Sequence, residues 1–129
     1  MRVSESSENY LETILILSKK LPVVRSVDIS NELGFKKSSV SVAMKNLKEK
    51  HYITVTDAGF IYLTEDGNKI AQTIYERHEF ISKWLVSLGV DESTATEDAC
   101  RIEHVISPES FEAIKIMWKC DLLWNLMDT

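Results

Sequence analysis

The chain has few of the residues that mark secreted or membrane-spanning proteins. Its 129 residues include two cysteines, two prolines and four glycines. Two cysteines cannot build a disulfide framework, so we expect a reduced, cytoplasmic protein. No stretch approaches the roughly 20 apolar residues that span a bilayer, and the first residues lack the apolar run of a signal peptide. We therefore expect no membrane partner.

Positive charge is scarce overall, but it is concentrated in the first half of the chain. The net charge is −5, yet residues 1–62 hold nine Lys/Arg and seven Asp/Glu, whereas residues 63–129 hold six and thirteen. Phosphate binding depends on local cations rather than on the whole-chain sum, so this balance does not exclude nucleic acid. Taken alone, the lysines of the first half are explained more simply as the solvated face of a helix. The excess of acidic residues in the second half needs a separate explanation, and metal binding is one candidate.

Apolar spacing predicts three helices in the first 50 residues. The predicted helices cover 9–17, 27–33 and 37–50. Ser26 is predicted to cap the short second helix with its hydroxyl. Gly34 is predicted to end that helix because glycine adopts positive φ without strain. Val40, Met44 and Leu47 mark the buried stripe of the third helix.

After the third helix, the sequence pattern changes from one typical of helices to one typical of strands. Residues 51–55 and 60–64 are rich in β-branched and aromatic side chains, and residues 57–59 between them have turn composition. These features predict a two-stranded hairpin. Helix, short helix, turn, helix and hairpin, in this order, are typical of a winged helix-turn-helix.

The start of the third helix carries the candidate DNA-binding residues. They are Lys36, Lys37, Ser38, Ser39, Ser41 and Lys45. Lysines neutralise phosphates, and serines hydrogen-bond phosphate oxygens or base edges. Helix-turn-helix shapes also occur in proteins that never touch DNA. The lysine cluster and the hairpin together favour binding to double-stranded DNA.

The second half of the chain is predicted to be entirely helical. Thr64 can cap a long helix that continues to Gly89, a further helix covers about 93–105, and Pro108 can open the last one. The last segment carries many large apolar residues: Trp118, Leu122, Leu123, Trp124, Leu126 and Met127. Packing within one subunit explains these residues as well as a dimer interface does. We predict a homodimer.

Potential metal ligands are densest in residues 97–104. Cys100, Glu103 and His104 stand at positions i, i+3 and i+4, which a helix places on one face. Thiolate, carboxylate and imidazole are the side-chain donors that first-row transition metals favour. A surface helix with a buried cysteine explains the same spacing equally well.

Three stretches resemble the diphtheria-toxin-repressor family, which includes iron-dependent repressors and manganese transport regulators. The stretches are Ser7-Glu8-Asn9-Tyr10-Leu11-Glu12-Thr13-Ile14, Arg77-His78-Glu79, and residues 97–107. They keep the family's order and spacing over about Ser4 to Pro108. The chain resembles the shorter manganese-regulator architecture, which lacks the extra SH3-like domain of longer iron repressors. The resemblance implies a homodimer that binds operator DNA when it holds a divalent transition metal.

The resemblance also implies two neighbouring metal sites. One would use Asn9, Cys100 through its carbonyl and thiolate, Glu103 and His104. The other would use Glu12, His78, Cys100 and Glu103. The family's metals are Fe(II) and Mn(II), and the thiolate of Cys100, where manganese types carry a carboxylate, makes Co(II) and Zn(II) further candidates.

Some positions depart from the family pattern. Asn9 stands where iron types carry Met and manganese types carry Asp, so it offers a neutral oxygen. Ser82 and Thr96 stand where iron types place a Glu and a His of an ancillary site. We therefore expect no ancillary site of the usual form.

The predicted fold is mainly α, with a winged helix-turn-helix over 1–66 and an all-helical dimerisation and metal-binding domain over 67–129. A metal-independent winged-helix regulator with a degenerate metal site is the alternative, which Asn9 allows. A small metal-dependent hydrolase would need an activated nucleophile or a substrate-sized glycine-rich loop, and neither motif occurs. We therefore expect no enzyme activity and no small-molecule substrate.

Overall fold

A computed structural model of the chain describes residues 3–127, and their side chains as far as residue 119. In order, the elements are α1 (Glu5–Lys20), α2 (Ser26–Leu33), α3 (Lys37–Glu49), β1 (Ile53–Val55), β2 (Ile61–Leu63), α4 (Glu65–Ser87), α5 (Glu92–Val105) and α6 (Pro108–Met127). This mainly helical fold with one hairpin confirms the predicted fold class. No helix in the described part of the chain is long and apolar enough to cross a bilayer.

The chain divides into two compact units, Met1–Tyr75 and Glu76–Thr129. The division lies within α4, whereas the predicted domain boundary follows residue 66 at the start of that helix. Compactness alone does not assign a function to either segment. The predicted domains therefore stay a prediction.

The first unit is built around one apolar core to which every helix and both strands contribute. The largest of its fully buried side chains are Leu11, Ile14, Ile29, Val40, Leu47 and Ile53. The strands β1 and β2 pair antiparallel, with Ile53 opposite Leu63 and Val55 opposite Ile61. The Ile61 N–H donates to the carbonyl of Val24 at 2.8 Å, so the hairpin is also bonded to the segment before α2.

The ends of α2 show one wrong and one confirmed prediction. Ser26 does not cap α2; it is the first helical residue, and Arg25 is the N-cap. The carboxylate of Asp28 accepts the Arg25 N–H at 2.9 Å, which bonds the cap residue back to the first turn. Gly34 ends the helix in the left-handed region at φ 68°, as predicted.

The junction between α3, the hairpin and α4 is closely bonded. His51 follows α3 at φ 64°, and the N–H groups of His51 and Tyr52 donate to the carbonyls of Lys48 and Leu47. This pattern closes the last turn of α3 in a Schellman motif. Thr64 accepts the Gly67 N–H at 3.1 Å, which confirms the predicted cap of α4. Gly67 is buried, and a Cβ there would overlap the Tyr52 carbonyl oxygen.

The second unit has its own smaller core. Ile81, Ala99 and Phe111 are buried in it, and the Phe80 ring packs edge-on against the rings of Phe111 and Trp118. Trp118 therefore has a packing partner within the unit. The other late apolar residues, Leu122, Leu123, Trp124, Leu126 and Met127, have side chains outside the described residues.

Polar contacts also join helices of the second unit. The Lys115 ammonium donates to the carboxylate of Glu76 at 2.7 Å. This hydrogen bond raises the pKa of Lys115 above its usual value, so the ammonium stays charged at neutral pH. Leu88 follows the last residue of α4 and is 63% exposed. The turn there brings Gly89 to φ 96°, which ends the helical period.

Candidate metal centre and DNA-binding surface

Three side chains of different donor type converge in the second unit. His78 is in α4, and Cys100 and Glu103 are one turn apart in α5. Their ligand atoms all lie within 4.8 Å of one another. His78 Nδ1 is 2.9 Å from Glu103 Oε2 and 3.7 Å from Cys100 Sγ. Imidazole, thiolate and carboxylate together form a donor set suited to a divalent transition metal.

The Glu103 carboxylate is the most buried ligand-type group of this set. Glu103 is 1% exposed to solvent. Oε2 meets His78, while Oε1 lies 3.3 Å from His104 Nε2 and accepts no hydrogen bond within the described part of the chain. A buried carboxylate oxygen without a hydrogen bond is costly, and a cation offsets that cost. The residues present therefore fit a bound metal ion.

Arg77 holds the main chain beside this cluster. Its guanidinium donates to the carbonyl of Glu103 at 3.0 Å and to that of Ile106 at 3.2 Å. The last carbonyls of a helix lack partners within the helix, so these bonds satisfy the end of α5. Arg77 directly precedes His78 on α4. Its bond to the Glu103 carbonyl therefore fixes the backbone of Glu103, whose side chain meets His78. The sequence identified Arg77 only as part of a motif.

The remaining predicted ligands are His104, Asn9 and Glu12. His104 contacts Glu103 but is not part of the three-ligand group. Asn9 and Glu12 are in α1, in the first unit, where Asn9 is half-buried and Glu12 is buried. The two predicted ligand sets, which combine α1 with α5, stay predictions.

The positions of the family's ancillary site carry hydroxyl groups. Ser82 and Thr96 line a cavity of about 390 Å³ together with His78, Glu79, Lys83, Val86 and Glu92. Hydroxyls are weak ligands for transition metals compared with carboxylate and imidazole. Within the described residues, the His78, Cys100 and Glu103 group is the one cluster of three potential ligands.

The candidate DNA-binding residues all lie on the exposed side of α3 or at its N-cap. They are Lys36, Lys37, Ser38, Ser39, Ser41 and Lys45. Val40, Met44 and Leu47 are buried on the opposite side, as predicted, and the first turn of α3 contains no acid. This surface can approach phosphates without like-charge repulsion. Val42, which was not among the predicted DNA-binding residues, is 61% exposed on the same helix.

Comparison with known proteins agrees with this combination of units. Residues 2–59 match the N-terminal DNA-binding domain of iron-dependent repressors, and residues 64–119 match the metal-binding and dimerisation domain of iron-dependent repressors. The combination defines the class as metal-dependent transcriptional regulators.

Individual relatives cover most of the chain. This chain is 36% identical over 116 residues to an uncharacterized helix-turn-helix-type transcriptional regulator of Methanocaldococcus jannaschii. The match covers 88% of this chain and 93% of that regulator. The chain is 31% identical over 112 residues to the transcriptional regulator MntR of Escherichia coli, covering 87% and 72%. The chain belongs to the iron-dependent repressor family, also called the diphtheria-toxin-repressor family, which confirms the resemblance seen in the sequence.

A solved structure shows a similar fold. The crystal structure of T. acidophilum IdeR is similar with a TM-score of 0.72 at 25% identity, over 92% of this chain and 55% of that one. This chain thus spans about half the length of that protein.

Proposed function

We propose that this protein is a cytoplasmic repressor that binds operator DNA as a homodimer when it holds a divalent transition metal, and that it controls metal homeostasis genes. The observation that carries the proposal is the His78, Cys100 and Glu103 cluster in a chain that also presents an exposed lysine-rich helix. We further propose that it has no enzyme activity and no small-molecule substrate.

The ligand assignment rests on the surroundings of Glu103. Its two carboxylate oxygens face two different imidazoles, those of His78 and His104. This arrangement supports two neighbouring sites that share Glu103, with Asn9 and Glu12 as the further ligands predicted from the sequence. When bound, the metal supplies positive charge that offsets the burial of the Glu103 carboxylate. Arg77 keeps Glu103 in place by bonding its main chain.

The choice of metal follows from the donor types and the family. We propose Fe(II) or Mn(II) as the physiological metal, with Co(II) and Zn(II) as the further candidates. Both matched domains are those of iron-dependent repressors. The thiolate of Cys100 favours the softer metals over Mn(II).

A homodimer is supported by exposed apolar side chains of the second unit. Val105 is 60% exposed, Ile116 is 60% exposed and Met117 is 65% exposed. Burying such residues between two copies removes apolar area from water and stabilises the pair. A dimer also presents two recognition helices, as operators with two half-sites require.

The proposal predicts metal-dependent DNA binding. DNA upstream of the protein's own gene is titrated with the full chain, with Mn(II), Fe(II), Co(II) or Zn(II) and with a chelator, and affinity is read from fluorescence anisotropy. We expect the preferred metal to tighten binding about 5- to 150-fold, the usual range for coupling between two sites. By reciprocity, DNA should tighten metal binding by the same factor. Tight binding that is unchanged by the chelator would instead support the metal-independent alternative.

The lysines at the start of α3 are predicted to set general DNA affinity. Lys36→Ala and Lys37→Ala should each weaken binding to all sequences alike and lower the slope of log affinity against log salt by about one for each phosphate that the lysine neutralises. Lys119→Ala, an exposed lysine on α6, is the matched control and should leave the slope unchanged. Equal slopes for all three variants and the parent would mean that α3 is not the recognition helix.

A further inference from the structure

One apolar side chain interrupts the polar outer surface of α3. Val42 is 61% exposed, more than the other exposed large hydrophobic residues of the first unit, Val27, Phe35 and Tyr62. Phe35 packs its ring edge-on against that of Tyr10. Val42, by contrast, contributes to neither described apolar core.

Helix stability does not account for a valine at this position. Valine is a weaker helix former than alanine or lysine because its branched side chain loses rotamer freedom. Single exposed apolar residues are common on protein surfaces and need no explanation by themselves. The position of Val42 relative to its neighbours is what distinguishes it.

Val42 lies in the middle of the candidate DNA-binding surface. Residues three and four apart are neighbours on a helix surface. Val42 is four residues after Ser38 and three before Lys45, and both of these residues are exposed. The buried residues Val40 and Met44 lie on the other side of the helix. A duplex that contacts Ser38 and Lys45 therefore also meets Val42.

We propose that Val42 contacts the C5-methyl group of a thymine in the major groove and thereby determines one base position in each operator half-site. This inference rests on the proposed function. The thymine methyl is the apolar group on the major-groove edges of the base pairs, and apolar side chains read it by direct contact. The neighbouring serines and lysines carry hydroxyl and ammonium groups, which contact phosphates and polar base edges. Val42 supplies the apolar contact that those groups cannot make.

The test removes the methyl group from the DNA and the valine from the protein. The probe is a duplex selected from a random-sequence pool by the full chain loaded with its preferred metal. Each thymine is replaced in turn by deoxyuridine, which lacks only the methyl group. Affinities are measured by fluorescence anisotropy for the parent, Val42→Ala and Val42→Ile. Alanine is the better helix former, so Val42→Ala should fold at least as well as the parent.

We expect one thymine per half-site whose replacement weakens parent binding about fourfold, the effect of one buried methyl group. Val42→Ala should bind the unmodified duplex more weakly by a similar factor and should not respond to deoxyuridine at that thymine. Val42→Ile should respond as the parent does. Deoxyuridine at other thymines serves as the control for nonspecific effects on the duplex.

Two results would overturn the inference, and they are distinguishable from each other. If binding is metal-dependent but the parent and Val42→Ala respond alike to deoxyuridine at every thymine, Val42 does not read a methyl group, and the proposed function stands. If the metal-loaded chain selects no duplex at all, the proposed function fails together with this inference.

Discussion

Glu103→Gln is expected to abolish the effect of metal on operator affinity while the protein keeps its fold. The amide has the shape of the carboxylate and can still hydrogen-bond His78, but it lacks the negative charge that attracts a cation. Loss of partners outside the ligand set already lowers metal affinity about 10- to 100-fold, so loss of a direct ligand should cost at least about 100-fold. Metal affinity is measured by competition with a chelating dye, and operator affinity by anisotropy with and without metal.

The fold should tolerate this change because the buried charge is itself costly. Glutamine has nearly the volume of glutamate and can still hydrogen-bond His78, so the change leaves neither a cavity nor an unsatisfied group at His78. Thermal unfolding of the parent and of Glu103→Gln in chelator should therefore give similar midpoints. Glu79→Gln is the matched control, since Glu79 follows His78 directly but pairs with Lys83 and is 46% exposed at its side chain. If Glu103→Gln keeps the metal response of the parent, Glu103 is not a ligand.

Gly67→Ala is expected to destabilise the first unit by about 3 kcal/mol or more, at the upper end of overpacking effects. A Cβ at this position would overlap the carbonyl oxygen of Tyr52. That carbonyl is held by the Thr64 N–H at 3.0 Å, and it belongs to the backbone, so it cannot rotate away as a side chain can. Helix propensity alone predicts the opposite sign, because alanine normally stabilises a helix by about 1 kcal/mol relative to glycine.

Gly34→Ala separates overlap from general effects of replacing glycine. Gly34 has φ 68°, and no other atom lies within 4 Å of the position that a Cβ would take, so alanine there meets only the strain of the left-handed conformation. That strain costs about 1 to 2 kcal/mol. Urea unfolding of both variants in the presence of chelator should rank Gly67→Ala as the less stable. A Gly67→Ala variant as stable as the parent would show that Tyr52 and α4 can move apart.

Several features of this protein were predictable from the sequence because short stretches determine them. The buried stripe of α3, the hairpin composition, the end of α2 at Gly34 and the Thr64 cap each depend on residues within one or two turns. The lysines that follow Gly34 are exposed for the same reason, since they fall outside the apolar period. Spacing also identified Cys100, Glu103 and His104 as candidate ligands. The family resemblance added His78, which spacing alone could not connect to α5.

Other features were decided by the tertiary structure because they depend on how separate elements pack. His78 meets Glu103 across 25 positions of the chain, and Arg77 bonds two carbonyls of α5. The overlap that makes Gly67 necessary comes from the approach of Tyr52. The prediction that Ser26 caps α2 was wrong because α2 begins at Ser26, one residue before the predicted start. The sequence thus determined the helices, the hairpin and the chemical types of the ligands, since backbone bonding and side-chain period act over a few residues. The tertiary structure alone decided which ligands meet, because helix packing brings together residues that are far apart in the chain.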